Sequence, residues 1–478
     1  MKPKLIGRKK EVEVLKKALA SSQPELVSIV GRRRVGKTFL IQSVYEKNIF
    51  FELTGIQHAP RLEQLQNFTI QLTKYSNSVI PITPPKNWLD AFFMLSQYLE
   101  TKIKSKKAVV FLDELPWMAT KKSGFLRGLG WFWNSWATKK NVVIVICGSA
   151  ASWMIQKVVR DKVGLHNRIT RRITLEPFNL HETELFLKNQ IPNIDRYQIL
   201  QIYMAMGGIP HYLKEIEGGK SAVQNIDQIC FSKTGLLNSE FSLLYPALFE
   251  NSEEHIKVIR SLAAKRKGLT RKEIIEIGKL SDGGNTSKVI EELNHSGFIS
   301  PYYTFGRKKR ELRFRLTDEY SLFYLRFIET NSLESEDIWD ALSQNQSYKI
   351  WCGFAFENLC LKHIPNIKKA LGISGIYARS TSFFKKGDGE NSGVQIDLLI
   401  DRNDRTINLV EIKFHNGTFT ISKDYAQKLR DKIQIFKEAS KTKKQVFLTF
   451  ISALGLKSNI HSIGLVDNDF DGEIFFKE

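Results

Sequence analysis

The sequence predicts a multidomain α/β chain, and three observations carry that expectation. A short apolar run, residues 26–30, leads into Gly31-Arg32-Arg33-Arg34-Val35-Gly36-Lys37-Thr38 and then a helical stretch over 39–46. A second apolar run, residues 108–112, ends in Asp113-Glu114. Far downstream, Gln395-Ile396-Asp397-Leu398-Leu399-Ile400 is followed by Val410-Glu411-Ile412-Lys413-Phe414. Continuous β-branched runs alternating with helical stretches belong to sheets buried on both faces, so the N-terminal part reads as a parallel α/β sheet.

The first feature matches G-x-x-x-x-G-K-[ST] in strand–loop–helix context. The backbone amides of Gly31, Arg32, Arg33, Arg34, Val35 and Gly36 are expected to curl round phosphate oxygens, with the helix N-terminus adding its dipole. Lys37 is expected on the β- and γ-phosphates and Thr38 on Mg²⁺. The strand over 108–112 would place Asp113 in the Mg²⁺ shell and Glu114 against the hydrolytic water. A third apolar run, 141–147, ends in Gly148-Ser149. Ser149 reads either as a γ-phosphate contact or as a simple turn.

At the other end, residues alternate faces along a strand, so Glu411 and Lys413 point one way and Ile412 the other. A hairpin turning through residues 401–406 brings Asp397 to that same face. Two carboxylates can then hold a divalent ion, with the lysine beside the attacking water or the scissile phosphate. Glu357, within a helix over 354–360, either completes the metal site or is a solvated helix residue. The competing reading of Glu411 and Lys413 is an idle ion pair on a strand surface.

A chain of 478 residues is long enough for about three domains. With 42% hydrophobic and 25% charged residues it has the composition of a globular protein with real cores. No apolar run approaches the roughly twenty residues of a membrane span, and the N-terminus lacks a signal-peptide core. Cys147, Cys230, Cys352 and Cys360 form no C-x-x-C pair, which predicts reduced thiols in a cytoplasmic protein and no zinc site. A net charge of +21 favours polyanions, DNA before an acidic membrane, with solubility as the bland alternative.

Between these landmarks, Val12, Leu15 and Leu19 mark an opening helix, and 54–85 reads as a connecting region with one helix. Phe125, Leu129, Phe132 and Trp136 recur at helical spacing beside Trp131 and Trp133. They read first as core or subunit-contact packing and second as a base-stacking surface. A fourth strand is expected over 173–178, then helices to about Lys214, with Gly207-Gly208-Ile209-Pro210 as a break. Arg168 is the candidate for transition-state charge on the γ-phosphate, in cis or from a neighbouring subunit of a homo-oligomer, against a plain surface role. From His255 the pattern becomes three short helices, 256–264, 271–277 capped by Thr270, and 287–295 opened by Asn285 or Thr286. A hairpin follows through Gly306-Arg307-Lys308-Lys309-Arg310. This reads as a winged helix-turn-helix whose basic tip follows a phosphate backbone, or as a protein contact. An amphipathic linker helix is expected over 323–342. Tyr425, Lys428 and Leu429 fall on the helix after Lys413, and 445–450 reads as a buried strand.

Taken in order, Ile6-Gly7-Arg8, the loop 31–38, Leu112-Asp113-Glu114, Gly148-Ser149, Leu175-Glu176-Pro177-Phe178 and Gly207-Gly208-Ile209-Pro210 resemble the archaeal-type, STAND-like AAA+ ATPases. The resemblance covers nearly the whole chain. It implies a P-loop ATPase core over 1–178, a helical lid over 179–250, a winged helix over 251–330, and a PD-(D/E)xK, restriction-endonuclease-like α/β domain over 331–478. It further implies ATP binding and hydrolysis through Lys37, Thr38, Asp113 and Glu114, with ATP as the sole small-molecule substrate. Arg168 follows Asn167, where the family carries a small residue. Asp397, Glu411 and Lys413 stand intact for the nuclease centre.

Overall fold

The protein is described by a computed structural model over residues 4–79, 82–103, 106–159, 167–265, 267–306, 311–331, 338–387 and 393–478. The chain divides into two compact units, Met1–Pro177 and Phe178–Glu478.

The first unit runs α1 (Lys9–Ala20), β1 (Glu25–Val30), α2 (Lys37–Tyr45), β2 (Ile49–Thr54), α3 (Arg61–Ser76), α4 (Trp88–Lys102) and β3 (Ala108–Asp113). It continues through α5 (Leu115–Met118), α6 (Phe125–Trp131), a π-helical turn at Phe132–Trp136, β4 (Val142–Gly148), α7 (Ala151–Met154) and β5 (Arg171–Thr174). All five strands pair in parallel in the order β2-β3-β4-β1-β5. Strands β1, β3 and β4 are buried along their whole length, which is why the sequence shows them as unbroken apolar runs. Their carboxyl ends open on one edge, where such sheets place their ligands.

Two elements escaped the sequence reading. Strand β2 is a sheet edge that buries only Phe51 and Leu53, and Glu52 interrupts its apolar pattern. Helix α4 is started by Asn87, whose side chain accepts from the Asp90 amide at 3.0 Å. The tryptophan cluster is core: Trp88 meets Phe125 edge-on at 4.7 Å, and Phe132 stacks on Trp136 at 4.9 Å. Burying a large side chain of this kind contributes about 1.5–3 kcal/mol.

The second unit opens with α8 (Leu180–Gln190), α9 (Arg196–Met206), α10 (Pro210–Leu213), α11 (Ala222–Cys230) and α12 (Glu240–Leu244). Gly207, at φ +68°, ends α9 where a Cβ would meet the Glu319 carboxylate at 2.8 Å, so glycine is required there. Next come α13 (Ser252–Ala263), β6 (Leu269–Thr270), α14 (Arg271–Gly278), α15 (Gly284–His295), β7 (Ile299–Tyr302) and β8 (Arg313–Leu316). The strands form an antiparallel sheet in the order β6-β8-β7. Thr270 caps α14 through a reciprocal box with Glu273. Helix α15 starts earlier than expected, and Thr286 lies inside its first turn, donating to Ser281 O at 2.6 Å. The basic tip at Arg307, Lys308, Lys309 and Arg310 lies outside the described residues.

The expected linker helix is instead core. It is divided into α16 (Glu319–Phe323), a π-helical turn at Tyr324–Ile328, α17 (Glu329–Asn331) and α18 (Ile338–Gln344). Trp339 packs edge-on against Phe323 at 4.9 Å and stacks on Phe231 at 5.3 Å. After α19 (Gln346–Lys362) and α20 (Ile364–Ala370) come β9 (Ala378–Lys385), β10 (Val394–Arg402), β11 (Thr406–Lys413), β12 (Phe419–Thr420) and α21 (Lys423–Ser440). Strands β13 (Gln445–Ser452), β14 (Leu456–Lys457) and β15 (Asn468–Phe470) close the chain. The main sheet has the order β15-β13-β11-β10-β9: an antiparallel meander, β9-β10-β11, extended by β13 and β15 in parallel. Helix α21 makes the crossover that a parallel β11–β13 pair requires.

Candidate functional site

In the first unit, β1 ends and α2 begins around the loop 31–38. Gly36 takes φ +91°, open to a glycine, and a Cβ on Gly31 would stand 2.3 Å from Leu175 O. Both glycines are therefore fixed by backbone geometry. Lys37 is 5% exposed, and its Nζ donates to Gly31 O at 2.8 Å, Arg32 O at 3.0 Å and Ser149 Oγ at 2.8 Å. Thr38 Oγ1 donates to Asp113 Oδ2 at 2.5 Å. Arg32 and Val35 are buried, while Arg33 and Arg34 are half-buried. Arg8, itself buried, donates to Val35 O at 3.3 Å and so ties the segment before α1 to the loop.

Asp113 and Glu114 leave β3 in different directions. Glu114 sits at φ +47°, a conformation uncommon for residues with a Cβ. Its amide donates to Asp113 Oδ1 at 2.9 Å, and its carboxylate accepts from Ser149 N at 3.0 Å and Ser149 Oγ at 2.5 Å. Ser149 thus links the lysine of the loop to the acid at the end of β3. Arg168, by contrast, is exposed on the turn before β5 and makes no hydrogen bond to the loop among the described residues.

In the second unit, the pairing of Leu398 with Val410 sets Asp397 alongside Glu411, as the hairpin expectation required. Asp397 accepts from Gln395 Nε2 at 2.6 Å. Glu411 is 6% exposed and accepts from Lys432 Nζ at 2.6 Å, Tyr425 Oη at 2.6 Å and Lys413 Nζ at 3.0 Å. Burial alone would raise its carboxyl, but Lys432 and Lys413 overcome that and hold it down at about 2. Burial likewise opposes the charge on Lys413, and Glu411 reverses the effect and raises it. Of the two lysines near Tyr425, Lys428 is exposed and Lys432 makes the contact. Lys432 lies two helical turns beyond Tyr425, a spacing that puts both on one face.

Glu357 on α19 is pushed up to about 8, first by burial and then by the charge of Asp397, with Lys413 and Arg315 opposing. A cation joining the site would favour its ionised form. That chemistry suits a hard divalent ion bound through carboxylate oxygens of Asp397, Glu411 and Glu357. Among the described residues no group of three or more His, Cys, Asp or Glu side chains is already gathered closely enough to hold one. All four cysteines are buried free thiols. No described helix is long and apolar enough to cross a membrane.

Parallel sheet, phosphate-type loop and acidic strand end together define a P-loop ATPase domain. Residues 5–216 match the family model described as an ATPase domain predominantly from Archaea. Over 413 residues the chain is 25% identical to a protein of Methanocaldococcus jannaschii described as uncharacterized, covering 86% of this chain and 87% of that one. Among solved structures, the Walker-type ATPase of Pyrococcus abyssi is similar with a TM-score of 0.50 at 15% identity, over 68% of this chain and 96% of that one. The Aeropyrum pernix ORC2 protein, solved in ADPNP–ADP complexes, gives 0.40 at 15% identity over 72% and 96%.

Proposed function

We propose that this protein binds ATP with Mg²⁺, hydrolyses it, binds DNA and cleaves that DNA at a metal-dependent centre near its C-terminus. In the ATPase unit, Lys37 would exchange its loop carbonyls for the β- and γ-phosphates, and Thr38 and Asp113 would hold Mg²⁺. Glu114 would orient the hydrolytic water, and Ser149 would hold that carboxylate near the γ-phosphate. Arg168 would act from a neighbouring subunit. The division into ATPase core (1–178), lid (179–250), winged helix (251–330) and nuclease-like domain (331–478) is part of the same reading. Support for the winged helix comes from the three helices α13, α14 and α15 combined with the β6-β8-β7 sheet, whose strand β6 lies between α13 and α14.

The observation that carries the nuclease reading is the meeting of Asp397 with Glu411 and Lys413 on one hairpin, beside a buried Glu357 whose charged form burial and Asp397 oppose. A divalent ion held there would neutralise the phosphodiester and activate the attacking water. Lys413 would stabilise charge on the reacting phosphate, and Lys432 and Tyr425 would keep Glu411 ionised and in place. A charge of +21 suits a polyanionic substrate.

A second reading is a nucleotide-driven signalling switch whose C-terminal domain only binds a partner. It is favoured by Glu411 already being satisfied by two lysines and a tyrosine. Incubating the purified protein with Mg²⁺ or Mn²⁺ and linear, circular and branched DNA, with and without ATP, separates the two. Metal-dependent cuts support the nuclease; intact DNA in every condition leaves the switch.

A further inference from the structure

The β6-β8-β7 sheet does not stand apart from the carboxylate centre. Beyond β7 the chain adds to the edge of the C-terminal sheet: Thr304 bridges in parallel to Ser382 of β9. Phe305 N donates to Ser382 O at 2.7 Å, and Ser382 N donates to Tyr303 O at 3.0 Å. The junction is packed as well as hydrogen-bonded. Phe305 meets Phe436 of α21 at 5.4 Å, and Lys267 lies 3.7 Å over the ring of Phe384.

On β8, Leu316 O accepts from Asn358 of α19 at 3.4 Å, and the Arg315 charge acts on the adjacent Glu357. The Arg315 guanidinium lies 4.7 Å over the Tyr302 ring, and its Nε is buried with no hydrogen-bond partner among the described residues. The side chain as a whole is only half-buried, so the rest of this planar fork, held over the ring, is the part that can meet an anionic oxygen. Of the carboxylates nearby, Asp397 is met by Gln395 and Glu411 by Tyr425, Lys413 and Lys432, whereas Glu357 feels the Arg315 charge.

We propose that Arg315 is a phosphate-binding residue of the C-terminal centre, so that the duplex lying along the β6-β8-β7 sheet is the one presented to Asp397, Glu411 and Lys413. This rests on the nuclease reading. Arg315 takes a backbone phosphate next to the reacting one, which positions the strand without reading its sequence. The competing role is simple compensation of the excess negative charge of Glu357 and Asp397.

The two roles differ in what DNA binding loses, not in what metal binding gains. Replacing Arg315 by Gln removes a positive charge from beside a cation site, so Mn²⁺ affinity stays equal or tightens in either role. If the residue serves DNA, cleavage at saturating Mn²⁺ falls by up to about a hundredfold, the scale of a mispositioned reacting group. The salt dependence of duplex affinity, measured in EDTA, loses about one unit of slope. Arg315→Lys keeps the slope, because the charge remains, and recovers part of the cleavage. Thermal melts of both variants matching wild type show that the fold is intact. An unchanged slope in Arg315→Gln overturns the proposal and leaves compensation of the carboxylates as the residue's role. If the wild type cuts no DNA, or Asp397→Ala cuts like wild type, the nuclease reading fails on its own, and the salt slope still decides whether Arg315 holds a phosphate.

Discussion

Lys37 Nζ donates to Ser149 Oγ at 2.8 Å, and that one hydroxyl also donates to the Glu114 carboxylate. Ser149 therefore stands between the positive charge that would meet the phosphates and the acid that would orient the water. Lys37→Ala is expected to abolish tight ATP binding, because no other described side chain makes its set of contacts to Gly31, Arg32 and Ser149. Ser149→Ala is expected to bind ATP within a few-fold of wild type but to lose about ten- to a hundredfold in turnover, as Glu114 loses its orienting partner. Fluorescent-nucleotide titration and phosphate release measure the two effects. Equal losses in binding and turnover for Ser149→Ala would make the serine a ligand contact instead.

Glu114→Gln tests the acid directly. The amide keeps the size and still accepts from Ser149, so ATP should remain bound while hydrolysis falls by about 10²–10⁴-fold, the range of a positioned general base. The backbone strain at φ +47° is unchanged by this substitution, so a fall in melting temperature is not expected. Turnover within ten-fold of wild type would remove Glu114 from the water-orienting role.

What the sequence made legible was local in the chain. The loop 31–38 is eight consecutive residues, and the apolar strands before Asp113 and Ser149 are continuous, so spacing alone placed them at one sheet edge. Glu411 and Lys413 were readable for the same reason, through the two-residue period of a strand. Features fixed by tertiary packing were not. Lys428 and Lys432 both flank Leu429 on α21, and only the way that helix lies on the sheet decides that Lys432 meets Glu411. Arg315 comes from a different supersecondary element, and no pattern near Asp397 points to it. Edge strand β2 was missed because an edge needs few apolar residues, and the segment over 323–342 was misread because its aromatic stripe is a core face.

His363 gives the second unit a defined response to acid. The ring is 5% exposed, with Nδ1 2.8 Å from Leu359 O and Nε2 facing the Leu180 amide at 3.4 Å. One nitrogen donates and the other accepts, which only the neutral ring can do. Burial accordingly lowers the imidazole to about 4, against the pull of the Leu359 carbonyl. Since the folded pKa lies below the unfolded one, the unfolded chain binds the extra proton as pH falls. Stability is full above about pH 6.5 and declines toward pH 4, by up to about 3 kcal/mol. Thermal melts at pH 7.5 and pH 5.5 should show a larger drop for wild type than for His363→Asn, whose amide still donates to Leu359 but does not titrate. Parallel pH dependence in both proteins would assign the acid sensitivity elsewhere.

The carboxylate hairpin supplies the most direct separation of enzyme from binding module. Asp397→Ala removes a proposed metal ligand without touching the Glu411 pairs with Lys413 and Lys432. Lys413→Ala removes the charge proposed to face the phosphate, while Lys432 and Tyr425 continue to hold Glu411. Each substitution should eliminate Mn²⁺-dependent cleavage, and each should leave ATP hydrolysis within about two-fold, since loop and hairpin belong to different compact units. The stability cost should differ between them. Lys413→Ala leaves a buried carboxylate with one partner fewer and should cost about 1–3 kcal/mol, whereas Asp397→Ala relieves negative charge beside Glu357 and should cost less. If both variants cut DNA like wild type, Asp397 and Lys413 have no part in catalysis. If neither they nor the wild type cut any DNA form, Glu411 and Lys413 are a buried ion pair in a binding domain.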